Sequence, residues 1–249
     1  MIKKISKMRL WLILVCLLVN LVCSKRSKRG IPYSLLITGD QVKKSGEMIQ
    51  GLPLGLNEIY FDSSKSDTVF VSVHGYDSRG YEWVYPLKSM AESGNRTFYY
   101  RWDWNQCPQR ATDDLHDTLV ALLNETVSIK HLIIFGHSYG GVITANLMET
   151  QLGSVEIHSI AAPLSGHPKF KRKCSVFPDF SDMVSRNSLI QWRTQHKQDG
   201  AFKNLEINPQ VVSVSGSKVV QLPDRIDGRR LGHNWSITWV IDMYLNKNN

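Results

Sequence analysis

The chain has 249 residues, 42% of them apolar, enough for one domain with a large core and too few for two. Its formal charge of +8 would suggest a polyanionic partner, yet Lys3, Lys4, Lys7 and Arg9 all stand ahead of an apolar stretch over 10–22. Without residues 1–24, which hold four bases and no acids, 26 basic residues face 22 acidic ones, and an excess of +4 calls for no nucleic acid.

A basic head followed by an apolar run much shorter than the ~20 residues of a spanning helix has the layout of a signal peptide. Val22-Cys23-Ser24 supplies a cleavage site, and the chain is expected to be exported or held at the cell envelope. Two variants stay open: lipid attachment at Cys23, and an uncleaved membrane anchor. In the second, Lys25, Arg26, Lys28 and Arg29 would keep the remaining domain, 25–249, facing the cytoplasm.

Residues 25–58 are polar and glycine-rich with short apolar islands such as 34–37, which reads as a loose entry with one hairpin. A short strand is expected at 59–61. The β-branched run at 68–73 predicts a strand buried on both faces. Beyond the turn His74-Gly75-Tyr76 come a helix over 81–92, a strand over 97–102 and a helix over 112–124. Asp113 and Asp114 would sit in that last helix's first turn, where the helix dipole favours acids.

The next stretch is the most informative. An apolar strand over 131–135 runs into Gly136-His137-Ser138-Tyr139-Gly140 and then into a helix. Small residues on both sides of a serine let the backbone turn sharply and lift the hydroxyl above the sheet edge. Further strands are read at 156–163, 189–194 and 210–214, and a helix over 236–245 closes the chain. Such alternation predicts an α/β fold, a mostly parallel sheet with helices on both faces. Residues 164–188 interrupt it, either as a small cap over the sheet edge or as a solvated loop.

A serine hydroxyl needs a base, an acid to orient that base, and donors for the developing oxyanion. In hydrolases with this strand–serine–helix turn the order is nucleophile, acid, histidine. His233, between the last predicted strand and the closing helix, fits the base. Asp199, in the loop after the penultimate strand, is the leading acid, with Asp224 and Asp227 as rivals and Asp182 further off in 164–188. Oxyanion donors would be the backbone N–H groups of Tyr76 and Tyr139. Cys107 and Cys174 have neither zinc-site nor CxxC spacing and read as one disulfide or two buried thiols. No cofactor or metal is called for.

These residues resemble the α/β-hydrolase superfamily, specifically lipase- and esterase-like members with a Gly-His-Ser-Tyr-Gly elbow and a His-Gly turn after an early strand. The resemblance covers roughly 59–245. It implies a serine hydrolase acting on a small-molecule or lipid ester through an acyl-enzyme: Ser138 attacks, His233 shuttles the proton, Asp199 holds the imidazole, and the Tyr76 and Tyr139 amides bind the oxyanion. A thioesterase or acyltransferase would use the same groups, while a silent binding protein would lack one of them. Tyr76, Tyr81, Tyr85 and Trp104 are candidates to line an apolar pocket, whereas Trp83 and Trp102 are expected to pack internally. The basic run 169–173 reads as solvated charge, with an anionic lipid head group as the alternative partner.

Overall fold

The computed structural model describes residues 30–61 and 66–247. The leader, its cleavage site, Cys23 and the basic cluster at 25–29 lie outside the described residues. Among the described residues no helix is long and apolar enough to cross a membrane.

The centre of the molecule is the strand predicted at 68–73. In β3 (Thr68–Val73) successive side chains point to opposite faces, so Val69, Val71 and Val73 enter one core while Phe70 enters the other. β5 (His131–His137) repeats the device, with Leu132 and Ile134 on the first side and Ile133 and Phe135 on the second. The first core is closed by α3 (Pro108–Glu125), through Leu115 and Leu119, and by α4 (Tyr139–Ala145), through Val142 and Ile143. The second is closed by α1 (Val42–Gln50), α2 (Tyr81–Glu92) and α6 (Trp235–Lys247), through Ile49, Leu87 and Ile241.

Eight strands form the sheet in the order β1-β2-β4-β3-β5-β6-β7-β8, the remaining members being β1 (Gly30–Pro32), β2 (Gly55–Tyr60), β4 (Arg96–Arg101), β6 (Val155–Ile160), β7 (Ser188–Arg193) and β8 (Lys218–Gln221). All neighbouring pairs are parallel except β2 with β4. This is the expected α/β class with helices on both faces.

Three expectations are corrected at the sheet's edges. The described part of 25–58 holds no hairpin: β1 pairs in parallel with β2, and two 3₁₀ turns and α1 connect them. β1 has three residues and ends in proline, too short to show alternation. α1 carries Ser45 and Gly46 in its middle, which weakens its helical signal. Gly46 has a packing reason, since a Cβ there would lie 2.4 Å from the backbone nitrogen of Tyr81 where α2 begins. The strand read at 59–61 is the end of β2, which starts at Gly55.

Residues 210–214 form no strand. Val214 is drawn into the first core, Gln210 is held by Thr194, and the last strand of the sheet is β8, whose residues are largely exposed and show no apolar alternation. A small hairpin of β9 (Arg225–Ile226) and β10 (Arg229–Arg230) follows it. Helix α3 begins at Pro108, the first-turn position that proline favours, so Asp113 and Asp114 lie in its interior.

Segment 164–188 contains the short helix α5 (Pro168–Lys173), anchored by buried Phe170 stacked on Tyr139 with ring centroids 4.0 Å apart. Cys174, just past α5, is disulfide-bonded to Cys107, the residue before α3, with a Cα–Cα distance of 5.6 Å. The basic run is only partly free: Lys169 Nζ lies 3.8 Å from the Tyr76 ring centroid and Lys173 donates to Asn105 Oδ1 at 3.0 Å.

Candidate active site

Ser138 joins β5 to α4 with φ 55° and ψ −121°, in the left-handed half of the map that a non-glycine residue enters only under constraint. Close packing on every side supplies that constraint. A Cβ on Gly136 would fall 2.1 Å from Thr144 Oγ1, and one on Gly140 would fall 2.4 Å from the carbonyl oxygens of both Val73 and His74. The Ser138 amide donates to Ile160 O at 2.8 Å, tying the turn to β6.

The turn after β3 meets this elbow directly. A Cβ on Gly75 would stand 2.9 Å from Ser138 Cβ, so the chain passes the serine at glycine-only distance before reaching Tyr76. His74 fixes the turn. Its Nδ1–H donates to Gly75 O at 2.9 Å, its Nε2 accepts from the Trp102 amide at 3.3 Å, and the Trp102 indole donates to His74 O at 2.8 Å. Burial pushes the His74 pKa down to about 3, which keeps this tautomer neutral. On the other side of the serine, the Tyr139 amide opens α4, where an N–H has no intrahelical acceptor.

His233 precedes α6, and its Nδ1 lies 2.9 Å from Asp199 Oδ2. Asp199 is fully buried. Burial alone would raise its pKa. That effect is outweighed by hydrogen bonds from His233, Thr194 Oγ1 and the Ala201 amide, together with the nearby imidazole charge, so the carboxyl titrates below its ordinary value. The rival carboxylates Asp224, Asp227 and Asp182 are all exposed.

The His233 backbone is held as well. Its carbonyl accepts from His137 Nε2 at 3.1 Å and from the Ser236 hydroxyl, while Phe202 stands edge-on to the imidazole with centroids 5.0 Å apart. His137 is held neutral far below its ordinary pKa, first by burial and then by the neighbouring His233. Ser138, His233 and Tyr76 line one cavity of about 100 Å³ with Gly75, Glu82 and Asn234.

Three participants escaped the reading of the sequence. Thr194 donates to Asp199, and Gln210 accepts from the Thr194 amide at 2.9 Å and returns a bond to its carbonyl at 3.2 Å. Gln210 is sixteen residues from Thr194, so only the folded chain reveals the pairing. Glu82, in the first turn of α2, is a carboxyl whose burial raises its pKa against a hydrogen bond from Ser78. Of the aromatic candidates, Trp83 and Trp102 are buried and pack internally, as expected, while Tyr81 is exposed at the edge of the cavity and Tyr85 is exposed further along α2.

No family model matches the sequence, and no curated protein sequence matches it. Solved structures do. Est1E from Butyrivibrio proteoclasticus, with ferulic acid bound, superposes with a TM-score of 0.50 at 14% identity over 78% of this chain and 94% of its own. A protein of unknown function from Agrobacterium tumefaciens, provisionally classed as an α/β hydrolase, gives 0.50 at 12% identity over 78% and 89%. The Pyrococcus furiosus esterase Pf2001 gives 0.49 at 13% over 74% and 81%. The chain has the α/β-hydrolase fold.

Proposed function

We propose that the protein is a serine hydrolase of carboxylic esters. The observation that carries the reading is the strained Ser138 sharing a cavity with an imidazole whose Nδ1 is 2.9 Å from a buried carboxylate. Asp199 holds the Nδ1–H tautomer of His233, leaving Nε2 as the basic lone pair. Ser138 Oγ attacks the ester carbonyl carbon as its proton passes to Nε2, and the carbonyl oxygen becomes an oxyanion facing the Tyr76 and Tyr139 amides. Collapse breaks the ester C–O bond, and the alcohol leaves with the proton from Nε2. Water then attacks the acyl-serine by the same path, giving the acid and restoring the serine.

A fluorophosphonate probe tests this. Labelling of the wild type that vanishes in Ser138→Ala and falls steeply in His233→Ala supports it; an unlabelled wild type refutes it and favours a binding protein. We read residues 1–24 as an export signal or anchor that places the domain outside the cytoplasm or at the envelope. The Cys107–Cys174 disulfide supports an oxidising compartment. N-terminal sequencing of the mature chain decides whether the segment is cleaved.

A further inference from the structure

Next to the Ser138 cavity runs a second, larger depression of about 480 Å³, within the range of small-molecule sites. Its walls come from the segment leading into α1 and that helix's first residue, from α2 and from the start of α6, and include Val42, Tyr81, Tyr85, Trp235 and Thr238. Tyr81, Glu82 and Asn234 line both spaces, and Asn234 directly follows His233. Three of its large side chains remain exposed, Tyr81 at 40%, Tyr85 at 42% and Trp235 at 57%. Rings gathered in one open groove are unlike scattered surface apolar residues and mark a place where apolar matter binds. The Tyr85 hydroxyl is engaged by Asp242 Oδ1 at 3.0 Å, which orients the ring while its polar end is satisfied.

Building on the proposed esterase reading, we infer that this groove binds the apolar chain of the ester whose carbonyl meets Ser138, which makes the substrates esters with an extended alkyl or aryl group. The occupant follows from continuity. Tyr81, Glu82 and Asn234 line both spaces, and on this inference a chain seated on Tyr85 and Trp235 runs past them to the serine. Each methylene buried there contributes about 0.8 kcal/mol, or roughly fourfold in kcat/KM, until the groove is full.

The test uses the full chain with two substrate series, p-nitrophenyl esters of lengthening acyl chain and acetates of lengthening alcohol, so that the half of the ester in the groove is identified. One series should rise about fourfold per carbon in kcat/KM. Trp235→Ala and Tyr85→Ala should lower its octanoyl-to-acetyl, or octyl-to-ethyl, ratio at least tenfold. Thr238→Trp should cut the rise off at a shorter chain, with thermal melts checking that each variant folds. A flat wild-type profile in both series, or a slope unaltered by all three substitutions, overturns the inference while hydrolysis of the short esters leaves the parent reading standing. No hydrolysis and no probe labelling would remove both. A Trp235→Ala change in oligomeric state with an intact slope would instead give the groove to a second copy of the chain.

Discussion

His233 and Asp199, thirty-four residues apart, meet through a 2.9 Å hydrogen bond in which the carboxylate is fully buried and also accepts from Thr194 and Ala201. Such a carboxylate is committed to one orientation, and through it so is the imidazole. Asp199→Asn should therefore lower kcat by about 10⁴-fold, the cost of presenting the wrong tautomer. Asp224→Asn and Asp227→Asn, on the exposed hairpin after β8, should stay within twofold of wild type. Steady-state kinetics on a p-nitrophenyl ester measures all three, and a large loss at Asp224 or Asp227 would move the acid there.

Glycines beside two of the candidate site residues, Gly140 near Ser138 and Gly200 next to Asp199, differ sharply in what they tolerate. Gly140→Ala would force a methyl to 2.4 Å from two backbone carbonyls, neither of which can move without shifting the β3 turn. Overpacking of this kind costs about 1–3 kcal/mol, and the same shift should reduce turnover. Gly200 has open space around its Cβ position and no positive φ, so Gly200→Ala should change stability by less than about 0.5 kcal/mol. Urea denaturation of the two variants makes the comparison.

Acid should weaken the fold through its buried histidines. Burial holds His74 at about 3, His137 well below its ordinary value, and His158 lowered despite the hydrogen bond to Glu156 at 2.7 Å. His158 is further fixed as neutral by the Trp192 indole donating to its Nδ1 at 2.9 Å. The unfolded chain takes up protons at these sites near the ordinary histidine value of 6.5, and the folded chain does so only at lower pH. The stability they contribute is thus complete above that value and is lost as pH falls below it, by about 1.4 kcal/mol per pH unit for each histidine still neutral in the fold. Urea midpoints should drop markedly from pH 7 to pH 5, and a flat profile would contradict the burial of these rings.

The elbow was readable in the chain because its constraints are local: glycines two residues either side of a serine, after an apolar strand, dictate a turn whatever surrounds it. That the loops holding His233 and Asp199 would meet followed from topology, which still left Asp224 and Asp227 as rivals; the hydrogen bond between the two side chains came only with the folded chain. The Thr194–Gln210 support was not, since it joins a strand end to a segment whose Val211-Val212-Ser213-Val214 pattern imitates a strand. β1 and β8 escaped for a related reason. One is three residues long and the other mostly exposed, so neither carries the two-residue apolar period that marked β3 and β5. The exposed groove of Tyr85 and Trp235 joins α2 to α6 from distant parts of the sequence, and no single stretch records it.

The Cys107–Cys174 bridge closes a loop with a sequence separation of 67 residues and holds the segment around α5 against the start of α3. On the chain-entropy account a loop of that size contributes about 4 kcal/mol, so the paired Cys107→Ser and Cys174→Ser variant should lose up to that amount in denaturant unfolding. Its effect on catalysis follows from what α5 touches. Phe170 stacks on Tyr139 and Lys169 covers the Tyr76 ring, the two residues whose amides are assigned to the oxyanion. Loosening α5 should therefore lower kcat more than it raises KM, because an oxyanion donor acts chiefly in the transition state. Reduction of the wild type with dithiothreitol should reproduce both changes, and an unaltered kcat in the reduced protein would show that the turn at Tyr76 and the elbow at Tyr139 hold their geometry without the support of α5.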